Sequence, residues 1–268
     1  MCFIWTLKDT FVFVIKNLIK YDFKGYKILK LNSYTNQILN NISFELDNKN
    51  LIILGSNGVG KTTLARALTG IVQNNSTEID GINPSYIFGD EKTKLINYIP
   101  SKLEIYDEYL TVLDFLQLND LFGKFEIDNV LKIFDIEYLK NSSCKYLSSG
   151  ESQLLLMSSA VLHNAKYTIL DEPTANLDPQ KVQKVYKILK DENYLQHKIL
   201  ITHNLDLAYK LGYDILYLKD GKIAFYDKSE LFFDTKNLEK FFDNSVKKVE
   251  DSIMVNLWDI YIFYYLFL

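Results

Sequence analysis

A nine-residue loop restricts this chain more than any other feature: Gly55-Ser56-Asn57-Gly58-Val59-Gly60-Lys61-Thr62-Thr63. It has the pattern G-x-x-x-x-G-K-[ST] and follows an apolar run, residues 51–54, that reads as a buried strand. Its glycines let successive backbone N–H groups turn inward toward one anion. A helix expected from about Lys61 points its positive end at the same place. A strand, a glycine-rich turn and a helix in this order fit phosphate groups. Lys61 would reach the β and γ phosphates of a nucleotide, and the Thr62 hydroxyl would ligate Mg²⁺.

The rest of the chain supplies a matching scaffold. Strand-like runs recur at 28–31, 42–46, 96–99, 167–170, 198–202, 215–218 and 222–225. Helical patterns fall between many of them. Asp178-Pro179 opens one as cap and first residue, and Val182, Val185, Tyr186 and Leu189 form its buried stripe. Others are expected at 150–163 and 206–210, and Lys219-Asp220-Gly221 reads as a hairpin turn. The alternation predicts an α/β fold with a mostly parallel sheet covered by helices. Residues 103–147 lack strand signals and hold two helical patterns, 112–118 and 129–134, with Thr111-x-x-Asp114 as a capping pair. They read as part of an inserted helical subdomain, about 103–160.

A second chemical element is Tyr167-Thr168-Ile169-Leu170-Asp171-Glu172. An apolar strand ending in two acids puts carboxylates at the carboxyl edge of the sheet, where open α/β folds bind ligands. Asp171 is suited to hold Mg²⁺. Glu172 is suited to act as general base on an attacking water.

Composition narrows the function classes. The net charge is −4, so no global basic field favours nucleic acid, and none is expected as a partner. Cys2 and Cys144 cannot form a disulfide framework, and His163, His197 and His203 lack zinc-ligand spacing. That cysteine usage suits a reducing cytosol. No apolar run reaches the roughly 18 to 20 residues needed to span a bilayer. The first twenty residues lack a basic segment and a small-residue cleavage site, so they do not read as a signal peptide.

Taken in order, these motifs resemble the nucleotide-binding subunit of an ATP-binding-cassette transporter. Leu147-Ser148-Ser149-Gly150-Glu151 resembles the family signature L-S-G-G-Q, and Ala175-Asn176-Leu177-Asp178 resembles the D-loop. His203 stands where the family has its switch histidine. The resemblance implies a P-loop cassette over residues 27–245 with an antiparallel β part at its N-terminal side, which leaves an N-terminal extension at 1–26 and an apolar tail at 246–268. It implies binding and hydrolysis of ATP with Mg²⁺, with Glu172, His203 and Lys61 catalytic and with Thr62 and Asp171 at the metal. It also implies that Ser148, Ser149, Gly150 and Asp178 serve the nucleotide of a second copy in a head-to-tail dimer. Integral membrane permease subunits and a substrate-binding protein are the further expected partners, with the chain peripheral on the cytoplasmic face of the inner membrane.

Two positions need comment. An aromatic upstream of the phosphate loop usually stacks on adenine in this family; Tyr34 is at a suitable distance, with Tyr21 and Tyr26 as alternatives. The family glutamine after the strand and proline is here Ser101, following Tyr98-Ile99-Pro100. A hydroxyl on that shorter stem bonds the same target only through an added water. Hydrolysis would be slower, or the contacts with the membrane subunits would differ.

Residues 203–208, 218–223 and 230–242 resemble importers of iron chelates, haem and cobalamin. The alternatives are the ATPase of another transporter and a soluble, non-transport ABC ATPase. The ends are expected to be dispensable for the chemistry. The run 260–268, nine apolar residues, is too short to cross a bilayer, and removal of 252–268 should spare ATP binding.

Overall fold

The computed structural model describes residues 28–256. The strands are β1 (Ile28–Tyr34), β2 (Ile42–Asp47), β3 (Leu51–Gly55), β4 (Thr77–Ile79), β5 (Ile96–Ile99), β6 (Tyr167–Asp171), β7 (His197–Ile201), β8 (Asp214–Lys219), β9 (Lys222–Asp227), β10 (Val246–Val249) and β11 (Ser252–Val255). The α-helices are α1 (Lys61–Leu68), α2 (Gly89–Leu95), α3 (Val112–Asn119), α4 (Ile127–Phe134), α5 (Ser149–His163), α6 (Pro179–Lys190), α7 (Leu205–Leu211), α8 (Ser229–Phe232) and α9 (Thr235–Phe242).

The main sheet runs β5-β6-β7-β3-β8-β9, parallel except for the final β8–β9 hairpin. Its central strands are buried on both faces, which is why they read as continuous apolar runs. Alternate residues feed two cores. Ile52, Leu54, Leu170 and Leu200 face one, with α5 and α6. Leu51, Ile53, Ile169 and Ile199 face the other, with α1 and the antiparallel sheet β2-β1-β4. The expected α/β class is thus observed. The strand-poor segment forms α3, α4 and two short 3₁₀ turns before α5. Thr111 and Asp114 make a reciprocal capping box at α3.

The C-terminal boundary differs from the expected one. Residues 246–255 form an antiparallel hairpin, β10–β11, in which Ile253 is buried in the first core. β11 packs on α7, and the Ile253 amide donates to Asp206 Oδ1 at 3.0 Å. The packed unit therefore continues past residue 245 to Asn256, and a cut before Ser252 would remove a strand. The signal was faint because β10 pairs only with β11 and none of its four residues is fully buried, its two central lysines, Lys247 and Lys248, being exposed. The segments 1–27 and 257–268 lie outside the described residues, as does the expectation for 1–26. Among the described residues, no helix is long and apolar enough to cross a membrane.

Candidate active site

The phosphate loop joins β3, the sheet's centre, to α1. Gly60 is the N-cap of α1 at φ 108°, with no side-chain cap. A Cβ there would lie 2.6 Å from the Leu39 side chain, so glycine is required both by conformation and by space. The Lys61 ammonium folds back and donates to the carbonyls of Gly55 (2.7 Å) and Ser56 (2.9 Å). Burial holds its pKa below the ordinary lysine value, while Glu172 and Asp171 pull the other way. Val59 is buried in the core, so what it can offer a ligand is its backbone.

The two acids arrive from the adjacent half of the sheet. Asp171 closes β6 and is 4% exposed. Its Oδ2 accepts from the Thr62 hydroxyl at 2.8 Å and from the Tyr98 hydroxyl at 2.9 Å. Burial, then the carboxylate of Asp171, raise the pKa of Tyr98 and keep it a donor. Glu172 has a left-handed backbone, φ 51°, uncommon for a non-glycine residue. Its amide donates to the Ile201 carbonyl at 2.8 Å. Its Oε1 lies 2.8 Å from His203 Nδ1, and its Oε2 accepts from the Thr202 hydroxyl at 3.3 Å.

These groups surround a cavity of about 360 Å³, lined by loop residues Asn57, Gly58 and Gly60 to Thr63 together with Ile38, Ser101, Asp171 and Glu172. Ser101 is exposed and also borders a second cavity of about 600 Å³, lined as well by Tyr98, Pro100 and Phe115. Gly55 and Ser56 line a third, mostly apolar one with His203, Leu205 and Phe242. The first cavity could hold phosphates against backbone N–H groups, with an ammonium beside them. Thr62 and Asp171 bring two hard oxygens together, a donor set that fits Mg²⁺. Among the described residues no cluster of three His, Cys, Asp or Glu forms, so a cation there would need nucleotide and water oxygens as well.

One expectation fails and others fall elsewhere. Tyr34 is not available for stacking: it is buried in the second core, and its hydroxyl accepts from Asn36 Nδ2 at 3.2 Å. Strict alternation from Leu29 and Leu31 would have turned Tyr34 outward. A bulge intervenes, with Ser33 at φ 51° and the register jumping from Leu31↔Phe44 to Tyr34↔Ile42, and it turns the ring inward. The half-exposed residue at the cavity is Ile38. Tyr21 and Tyr26 lie outside the described residues.

Ser148, Ser149, Gly150 and Asp178 do not border this cavity. Ser148 caps α5 in a capping box with Glu151, and Asp178 caps α6 by accepting from the Lys181 amide at 3.0 Å. The two loops touch: a Cβ on Gly150 would come 3.3 Å from the Asn176 carbonyl. Sequence reasoning missed Tyr98, Thr202 and Ile38. For Tyr98 a signal existed, since a polar aromatic near the end of a strand next to β6 reaches the same sheet edge.

The chain is similar to known proteins over most of its length. A family model described as ABC transporter matches residues 39–175, just over half of the 268-residue chain. The phosphonates import ATP-binding protein PhnC of Fusobacterium nucleatum is 32% identical over 237 residues, covering 80% of this chain and 92% of its own. A protein of Helicobacter pylori named probable iron chelatin transport ATP-binding protein is 30% identical over 237 residues, covering 81% and 92%. A solved dimeric ATP-binding cassette, in a post-hydrolysis state with ADP and Pi, shares the fold at TM-score 0.63 and 23% identity, over 75% of this chain and 98% of that one. The chain belongs to the ABC transporter family, as an ATP-binding, ATP-hydrolysing subunit that energises a transporter.

Proposed function

We propose that this subunit powers import of an iron chelate of the siderophore or haem type. In this reading it works as a head-to-tail dimer on the cytoplasmic face of the membrane, docked to permease subunits and served by a substrate-binding protein. The 30% identity with the Helicobacter iron chelatin protein supports the substrate class, as do the stretches at 203–208, 218–223 and 230–242.

The chemistry follows from groups on one sheet edge. The phosphate loop and Lys61 hold the triphosphate, leaving backbone N–H groups to stabilise charge as it builds. Mg²⁺, held by Thr62 and Asp171, would neutralise phosphate charge. Glu172 accepts the proton of the attacking water at its carboxylate. His203 and Thr202 fix that carboxylate by binding both its oxygens. The signature residues Ser148, Ser149 and Gly150, with Asp178, complete the site of the second copy.

The observation that carries the hydrolytic part is Glu172, held from two sides next to the Thr62–Asp171 pair. The test is uptake by the complete transporter in proteoliposomes, with radiolabelled ferric siderophore and internal ATP. Wild type should import it. Glu172→Gln should keep ATP binding, trap an ATP-bound dimer, and lose about 10²- to 10⁴-fold in turnover. Import of a phosphonate or zinc in place of the iron chelate would refute the substrate class. Undiminished turnover in Glu172→Gln would refute the base.

A further inference from the structure

The residue assigned no part so far is Tyr98. It lies on β5, next to β6, with Tyr98 paired to Ile169 and Ile99 to Leu170, so its ring reaches the strand end where Asp171 sits. Its hydroxyl and that of Thr62 converge on the same carboxylate oxygen. One donor rides on the phosphate loop's helix, the other on β5 at the edge of the sheet. Two donors from separate elements fix the orientation of a carboxylate that is itself almost fully buried.

The kind of donor matters. A phenol hydrogen bonds without carrying charge, so it orients the carboxylate and leaves its full negative charge for a cation. An ammonium or guanidinium there would compete with that cation. We propose that Tyr98 is a positioning residue, holding Asp171 in the orientation that binds the divalent cation. The proposal rests on the reading of Thr62 and Asp171 as the metal site. Partners that orient a metal-binding carboxylate are commonly worth about 10- to 100-fold in metal affinity.

The probe is Mn²⁺, titrated into the full chain with ADP present and followed by electron paramagnetic resonance. Tyr98→Phe keeps the ring and removes only the hydroxyl. It should weaken Mn²⁺ binding about 10-fold, while ADP affinity in excess chelator stays within about two-fold of wild type. Asp171→Asn should weaken Mn²⁺ further. Wild-type Mn²⁺ affinity in Tyr98→Phe, beside a loss in Asp171→Asn, would overturn the role of Tyr98 and leave the metal-site reading standing. Wild-type affinity in both variants would overturn the metal-site reading and this inference with it. Equal loss of ADP binding with and without metal would mark Tyr98 as packing, which also overturns the proposal.

Discussion

Two helix ends in this molecule, both given an anion to meet in the proposed reading, are built in opposite ways. At α1 the cap is Gly60, no side chain covers the first turn, and no acidic residue lies in it. At α5 the end is closed by its own side chains. Ser148 Oγ accepts from the Glu151 amide, while Glu151 Oε2 accepts from the Ser148 amide at 2.8 Å and hydroxyl at 2.6 Å. Tyr138 donates to the other oxygen of Glu151 at 2.9 Å. Each helix has the same positive end. The first leaves it open for a ligand; the second has already placed a carboxylate on it. In the proposed reading, an anion from a second copy would share or displace Glu151, whereas one at α1 would displace the carbonyl contacts of Lys61.

The largest break in this comparison is Lys61→Ala. If the open helix end and backbone N–H groups sufficed, the loss would be small. The buried ammonium beside the cavity predicts instead about 100-fold weaker ATP binding, near 2.7 kcal/mol, by isothermal calorimetry on the purified subunit. Retained affinity would mean that the backbone alone holds the phosphates.

Ser148→Ala and Glu151→Gln sharpen the other side. Ser148→Ala removes the cap and should cost about 1 kcal/mol in denaturant unfolding. It should also raise the ATP concentration needed for dimerisation. Glu151→Gln keeps a capping-box residue but removes the negative charge. The ATP concentration for dimerisation, read by size-exclusion light scattering, should fall by about two- to five-fold, in line with a charge at a helix terminus being worth 0.3–1 kcal/mol. A rise would show that the carboxylate helps the incoming anion site.

The smallest effect is on pH. The hydrogen bonds from Ser148, and then from Tyr138, hold the Glu151 carboxyl below its ordinary range. Its folded value lies below its unfolded one, so its contribution is complete above the ordinary glutamate range. It is lost as pH falls through the depressed folded value. Amide-exchange protection in the first turn of α5 should drop over that acidic window in wild type and stay flat in Glu151→Gln. The first turn of α1, which has no such carboxylate, should show no matching step.

The contrast between the two ends was partly readable in the sequence. The glycines of residues 55–60 announce an open loop because backbone conformation is a local property. The S-x-x-E spacing of Ser148 and Glu151 announces a capping box for the same reason. What the spacing could not say is that Tyr138 reaches Glu151, or that Gly150 packs against the Asn176 carbonyl. Those contacts depend on how separate turns come together. Tyr34 failed in a similar way: one extra residue in β1 reversed the face of the strand, and a bulge has no sure mark in a single sequence.

By itself, then, the sequence determined which chemistry was present and its order along the chain. A glycine loop, an apolar strand ending in two acids, and a cap with proline after it each act over a few residues, through backbone freedom and hydrogen-bond reach. Only the tertiary structure decided which of these meet. Thr62 and Asp171 are 109 residues apart, and Tyr98 and Asp171 are 73 apart, yet all three share one oxygen. That meeting is set by parallel strand order and register, and by the cores on both faces of the sheet. The same burial packed Ile253 against α7 and made a hairpin of the start of a segment that had read as an apolar tail. Burial depends on the surface that other elements offer, which no local pattern encodes.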